Sequence, residues 1–216
     1  MKPERIDYSL YLVTDRGLAR GRAMLDVVRA AVQGGVTCVQ LREKTCSTRE
    51  FIEEALAVKE LLRSRGVPLI INDRVDVALA VGADGVHLGQ KDMPLAAARA
   101  IVTDTMLIGI SAESEADALT AEKGGADYLG VSPIFATPTK ADAAAPLGLA
   151  GLQTIRRAVR LPLLGIGGLN RQNAAAVVRS GADGIAVVSA IVAAEDPEQA
   201  ARELVQAVRS ARRSWA

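Results

Sequence analysis

VGADGVHLG, residues 81–89, reads as the end of a helix, a glycine stop and a short β-strand. A left-handed glycine closes a helix without steric cost, and the apolar run after it is too short for a second helix but long enough for a buried strand. The same order returns in QGGVTCVQL (33–41), KGGADYLGV (123–131) and SGADGIAVV (180–188). Each glycine ends a helix and feeds a strand, as in a fold assembled from repeated βα units, although shared cap chemistry alone would give a similar pattern.

Outward from residue 81, eight short apolar runs alternate with longer helical segments: Leu10–Val13, Cys38–Leu41, Leu69–Ile71, Gly85–Leu88, Leu107–Ile110, Tyr128–Val131, Leu163–Ile166 and Ile185–Val188. Dividing 216 residues by eight gives 27 per unit, enough for a strand, a helix and two short loops. The spacing predicts an α/β fold, a single (β/α)8 TIM barrel over residues 1–216 with no linker. Helix signals agree. Ser47 and Glu50 have capping-box spacing, Gly66 and Pro68 stop the helix that follows, Ser114 with Asp117 repeats the start, and Pro197 after Asp196 opens the last helix.

Composition excludes several classes. Lys plus Arg is 26 and Asp plus Glu 25, a net charge of +1, and aromatics are 3% of the chain. That supplies neither the basic field nor the stacking rings of a nucleic-acid binder. His87 is the only histidine and Cys38 and Cys46 the only cysteines, so neither a Cys/His zinc cluster nor a disulfide framework can be built. The start, MKPERIDYSLYLVTD, has no apolar h-region and no run is long enough to span a bilayer. The expectation is a cytoplasmic protein with no membrane partner, for which an assembly of identical chains remains open.

In a parallel barrel the catalytic face lies at the carboxyl ends of the strands, so polar residues there carry most information. After the second strand, Gln40 and Arg42 alternate to one side and Lys44 follows on the loop; two cations beside an amide suggest an anion, while pairing with Glu43 is the plainer alternative. Asn72 and Asp73 follow the third strand and Asp92 the fourth. Two carboxylates from neighbouring strands facing Arg42 and Lys44 suit Mg2+, which takes one or two carboxylates with water and phosphate. Taken singly, Asp73 is a helix N-cap and Asp92 a turn residue. His87 reads as a packed, hydrogen-bonded histidine rather than a base, and Ser111 as either an anion donor or, taken alone, a helix cap. Thr137, Thr139 and Lys140 put two hydroxyls and an ammonium on the loop after strand six. Gly165, Gly167 and Gly168 after strand seven, with Ser189 after strand eight, occupy the usual barrel phosphate address. Together these groups form two anion sites, for two phosphorylated ligands or one long one.

The chain also resembles the thiamine phosphate synthase family, through YLVTD (11–15), QLREK (40–44), NDRVDVALAVGADGVHLGQKD (72–92), GIS (109–111), SPIFATPTK (132–140), GIGGL (165–169) and AVVSAI (186–191), in order and over most of its length. The resemblance implies joining a pyrimidine that carries a methylene diphosphate to a thiazole that carries an ethyl phosphate, or to its carboxylated form. It implies pyrimidine diphosphate contacts at Gln40, Leu41, Arg42, Glu43, Lys44, Asn72, Ser111 and Lys140, and Mg2+ ligands at Asp73 and Asp92. It places thiazole phosphate contacts at Thr137, Pro138, Thr139, Gly168, Val188 and Ser189, and gives Arg42, Lys44, Ser111 and Lys140 the catalytic work. The partners implied are two small phosphorylated substrates. Two departures bear on loop geometry: Ser132 stands where the family often has glycine, and Ala112-Glu113 follow GIS. The implied route is dissociative: diphosphate departs, and the thiazole nitrogen captures the delocalised pyrimidine cation. Rival readings are a thiazole tautomerase on the same scaffold, another phosphate-binding barrel isomerase, and a non-catalytic binder.

Overall fold

A computed structural model describes residues 6–137 and 145–213. Eight parallel strands close into a barrel in chain order: β1 (Leu10–Val13), β2 (Cys38–Leu41), β3 (Leu69–Asn72), β4 (Gly85–Leu88), β5 (Leu107–Ala112), β6 (Tyr128–Val131), β7 (Leu163–Ile166) and β8 (Gly184–Val187). β8 pairs back onto β1 with Leu12 opposite Val187. Between strands run α1 (Met24–Gln33), α2 (Thr48–Arg63), α3 (Val75–Val81), α4 (Leu95–Ile101), α5 (Glu115–Lys123), α6 (Gly148–Ala158) and α7 (Ala174–Arg179). The four-residue α8 (Ser189–Val192) and the long α9 (Pro197–Arg213) follow β8. No described helix is long and apolar enough to cross a membrane.

Three strands differ from the sequence expectation. β3 and β5 run on to Asn72 and Ala112, and β8 lies one residue earlier, because Val188 turns out of strand geometry at φ −114°, ψ −83°. Strand alternation divides the apolar residues into two cores. Leu10, Leu12, Val39, Leu41, Ile71, Val86 and Ile108 pack outward against the helices. Tyr11, Cys38, Ile70, Leu107, Tyr128, Leu164 and Ala186 fill the barrel interior.

The helix signals act as their chemistry predicts. The Ser47 side chain accepts from the Glu50 amide while Glu50 accepts from the Ser47 amide, a complete capping box worth about 1 kcal/mol. Gly66 and Gly82 take left-handed φ values of 64° and 60°. Ser114 caps α5 by accepting from the Asp117 amide, and Asp196 accepts from the Gln199 amide at the start of α9.

The repeated glycine segments have a second role that their glycines alone do not reveal. Asp84, Asp127 and Asp183 sit at one position of the repeat, and each Oδ2 accepts an amide from the first two residues of the preceding strand: Leu69, Ile108 and Leu163, at 2.8 Å in each case. Thr37 holds the same position and accepts from the Leu10 amide at 3.1 Å. Each of the four also donates its own amide to that residue's carbonyl. The segment therefore ends a helix and sets strand register at the amino end of the barrel, opposite the polar rim.

Candidate active site

At the carboxyl end of the strands a cavity of about 450 Å³ opens inside the rim. Gln40 and Arg42 both line it, as alternation along β2 requires, and Lys44 joins them from the loop. Leu41 and Glu43 do not line it. Leu41 packs into the outer core, and the Glu43 side chain, 2% exposed, turns outward to Arg16 Nε at 3.1 Å. Arg42 and Lys44 therefore do not pair with Glu43: Arg42 Nη1 meets Asp15 Oδ2 at 3.0 Å and Lys44 Nζ meets Asp73 Oδ2 at 2.5 Å. The buried Thr14 hydroxyl accepts the Arg42 amide at 2.9 Å and fixes where the chain leaves β2.

Asp73 is not a helix N-cap. It takes a left-handed φ of 61° and donates its amide to the His87 carbonyl at 2.9 Å, while Arg74 occupies the cap of α3. Its side chain lines the cavity beside Asn72 and Asp92. Asp92 does hold its turn, accepting the Gly89 amide at 2.7 Å, and it also shares a hydrogen bond with Asp73. Burial, and then the neighbouring Asp73, push the Asp92 carboxyl up; burial also opposes charge on Asp73, but the hydrogen bonds from Asp92 and Lys44 outweigh it and hold Asp73 down. Two crowded carboxyls, one pushed up and the other held down by its neighbours, are a site whose mutual repulsion a divalent cation would relieve. Among the described residues no third Asp, Glu, His or Cys joins them in a metal-holding group, so the donors fit a cation that completes its shell with water and phosphate, as Mg2+ does.

Ser111 is not the cap of α5, a role taken by Ser114. It lies within β5 and lines the cavity. His87 is hydrogen-bonded as expected, but it reaches the cavity rather than only the core: Nδ1 lies 3.1 Å from Tyr128 Oη and Nε2 3.0 Å from Ser111 Oγ. Tyr11 and Tyr128 also line the cavity floor and were not singled out from the sequence. The available signal was a phenol at an inward strand position, where a hydroxyl needs a partner.

Across the mouth, Gly168, Val188 and Ser189 line the same cavity together with Thr137. Gly167 and Gly168 have φ values of 98° and 66°, and a Cβ on Gly168 would lie 2.6 Å from the Ala136 carbonyl oxygen. At the two glycines, backbone therefore forms this wall. Gly165 does not face it: a Cβ there would strike Val177 on the helix side, at 2.5 Å. Pro138, Thr139 and Lys140 lie outside the described residues. Ser132 lines the cavity without a positive φ, so a side chain is tolerated there, and Ala112 is buried in β5.

Residues 10–191 match the family described as thiamine monophosphate synthase. The chain is 61% identical to the thiamine-phosphate synthase of Chloroflexus aurantiacus over 199 residues, 92% of each chain. It is 57% identical to that of Albidiferax ferrireducens, again covering 92% of each. A solved structure, the thiamine phosphate pyrophosphorylase from Pyrococcus furiosus, superposes with a TM-score of 0.89 at 43% identity, covering 95% of this chain and 98% of that one.

Proposed function

Because the chain belongs to the thiamine monophosphate synthase family and is a transferase of thiamine biosynthesis, we propose that it joins 4-amino-2-methyl-5-(diphosphooxymethyl)pyrimidine to a 4-methyl-5-(2-phosphoethyl)thiazole, or its carboxylated form, releasing diphosphate. The observation that supports this reading most is that one cavity is lined on one side by Arg42, Lys44, Asp73 and Asp92 and on the other by Gly168, Val188 and Ser189. A barrel isomerase acting on one phosphorylated ligand has no use for both walls.

The reaction breaks a carbon–oxygen bond and forms a carbon–nitrogen bond. The bridging oxygen leaves with the electron pair on diphosphate, and the aminopyrimidine ring delocalises the positive charge until the thiazole nitrogen supplies a new pair. With the thiazole itself no proton need move in either step, which accounts for a rim that offers cations and hydroxyls rather than an acid–base pair; the carboxylated form would in addition lose carbon dioxide and take a proton from solvent at the vacated carbon. Arg42 and Lys44 meet the negative charge as it builds on the leaving group, with Ser111 beside them; donors fixed in advance act without reorganising. Their pairing with Asp15 and Asp73 holds those cations in place. Asp73 and Asp92 would hold Mg2+, which when bound supplies further charge neutralisation to the diphosphate. Gln40 and Asn72 orient the pyrimidine. The Gly168 and Ser189 backbone with Thr137 holds the thiazole phosphate so that its ring nitrogen faces the pyrimidine methylene, and holding the two in line contributes much of the rate. Pro138, Thr139 and Lys140 complete the two phosphate sites in this reading.

Incubating the protein with both substrates and Mg2+ and measuring diphosphate tests the reading. Release that requires the thiazole phosphate is expected. Tight binding of both compounds without release would show a binder, and conversion of the carboxylated thiazole alone would show a tautomerase.

A further inference from the structure

We infer that Tyr128 and His87 are positioning residues that fix the direction of a buried hydrogen-bond chain, so that Ser111 faces the substrate as a hydrogen-bond donor. The kinetic consequence rests on the coupling reaction proposed above; the spectroscopic one does not.

Four contacts form the chain, crossing five strands. Gln40 Nε2 donates to Tyr11 Oη at 2.9 Å, Tyr11 Oη meets Tyr128 Oη at 2.8 Å, Tyr128 Oη meets His87 Nδ1 at 3.1 Å, and His87 Nε2 meets Ser111 Oγ at 3.0 Å. Each phenol carries one hydrogen, and so does a neutral imidazole. With Gln40 donating at one end, Tyr11 directs its hydrogen to Tyr128, and Tyr128 directs its own to Nδ1. The ring then carries its hydrogen on Nε2 and donates to Ser111. An oxygen that already accepts inside the wall keeps its own hydrogen for the cavity it lines. Run in the opposite direction, the chain would use that hydrogen on the ring and present only lone pairs to an anion.

Two features of the barrel hold the direction. Burial raises both phenols well above the ordinary tyrosine range, so they remain O–H donors. Tyr128 also has its place made for it: a Cβ on Gly109 would lie 2.1 Å from its Cζ, so the neighbouring strand must carry glycine there.

Since His87 is the only histidine, the imidazole 15N spectrum of the full chain reads this tautomer without ambiguity. The wild type should show the Nε2–H form. Tyr128→Phe removes the donor to Nδ1 and should give a mixture of tautomers. Tyr11→Phe leaves Tyr128 its hydrogen and should keep the Nε2–H form. In the coupling assay, Tyr128→Phe should lower kcat about tenfold, the scale of one misdirected hydrogen bond to a charged group, with KM changed less than about twofold. Adding it to Ser111→Ala should cost nothing further, because both changes remove the same donor. A wild-type Nδ1–H tautomer, an unchanged spectrum in Tyr128→Phe, or additive losses in the double variant would overturn the inference. If Tyr128→Phe does not fold, the wild-type and Tyr11→Phe spectra decide it, and a wild type that releases no diphosphate refutes the coupling reaction while leaving the spectral result to stand.

Discussion

Asp73 shows how much a single rim residue does here: its left-handed backbone turns the carboxylate back over the strand ends, where it meets Lys44 and Asp92 together. Replacing Asp73 or Asp92 with alanine should leave the barrel folded and raise the Mg2+ concentration needed for half-maximal diphosphate release by tenfold or more, a loss on the order of that for a disrupted metal site. Unchanged Mg2+ dependence in both variants would refute the metal assignment. Outside the rim, Arg16 bridges Glu43 and Glu54, and burial, with the Glu43 charge next, pushes the Glu54 carboxyl up from its ordinary 4.5 to about 7. Between those values the folded chain holds a proton that the unfolded chain releases, so this group's contribution to stability falls as pH rises from about 4.5 to about 7 and is level above. Glu54→Gln should therefore flatten the decline in melting temperature from acid to neutral pH; an equally steep decline would count against it. At this scale the sequence was legible where side chains act locally. Alternation correctly put Gln40 and Arg42 on one face, and it equally turned Leu41 and Glu43 away. The Tyr11–Tyr128 contact was not legible, because its partners are 117 residues apart and meet only when the barrel closes.

Helices and strands were legible because their ends are marked by chemistry within a few residues. Ser47, Gly66, Gly82 and Pro197 each act through their own backbone or the next turn, so spacing alone locates them. The cap alternative for Ser111 fails for the opposite reason. A serine near a helix start reads as a cap, but β5 continues to Ala112 and the cap falls to Ser114, a choice made by pairing with β6. The aspartates of the glycine segments make a prediction that belongs to this scale. Asp84→Ala would leave the buried Leu69 without its 2.8 Å amide partner and should destabilise the chain by about 1–3 kcal/mol. Because Asp84 lies at the amino end of the barrel, kcat should be unchanged. A stable variant with lowered kcat would show that the two ends are coupled.

For the whole molecule, closing eight strands brings residues from β2, β3, β4 and β5 to one side of a mouth and those following β7 and β8 to the other. No local pattern specifies that the two walls share one cavity; the closed topology does. A crystal structure of the protein with thiamine phosphate, diphosphate and Mg2+ tests this most directly. Diphosphate should lie against Arg42 and Lys44 with the metal between Asp73 and Asp92, and the product's phosphate should rest on the Gly168 and Ser189 backbone. Either phosphate bound outside that mouth, or a metal held away from both aspartates, would contradict the account.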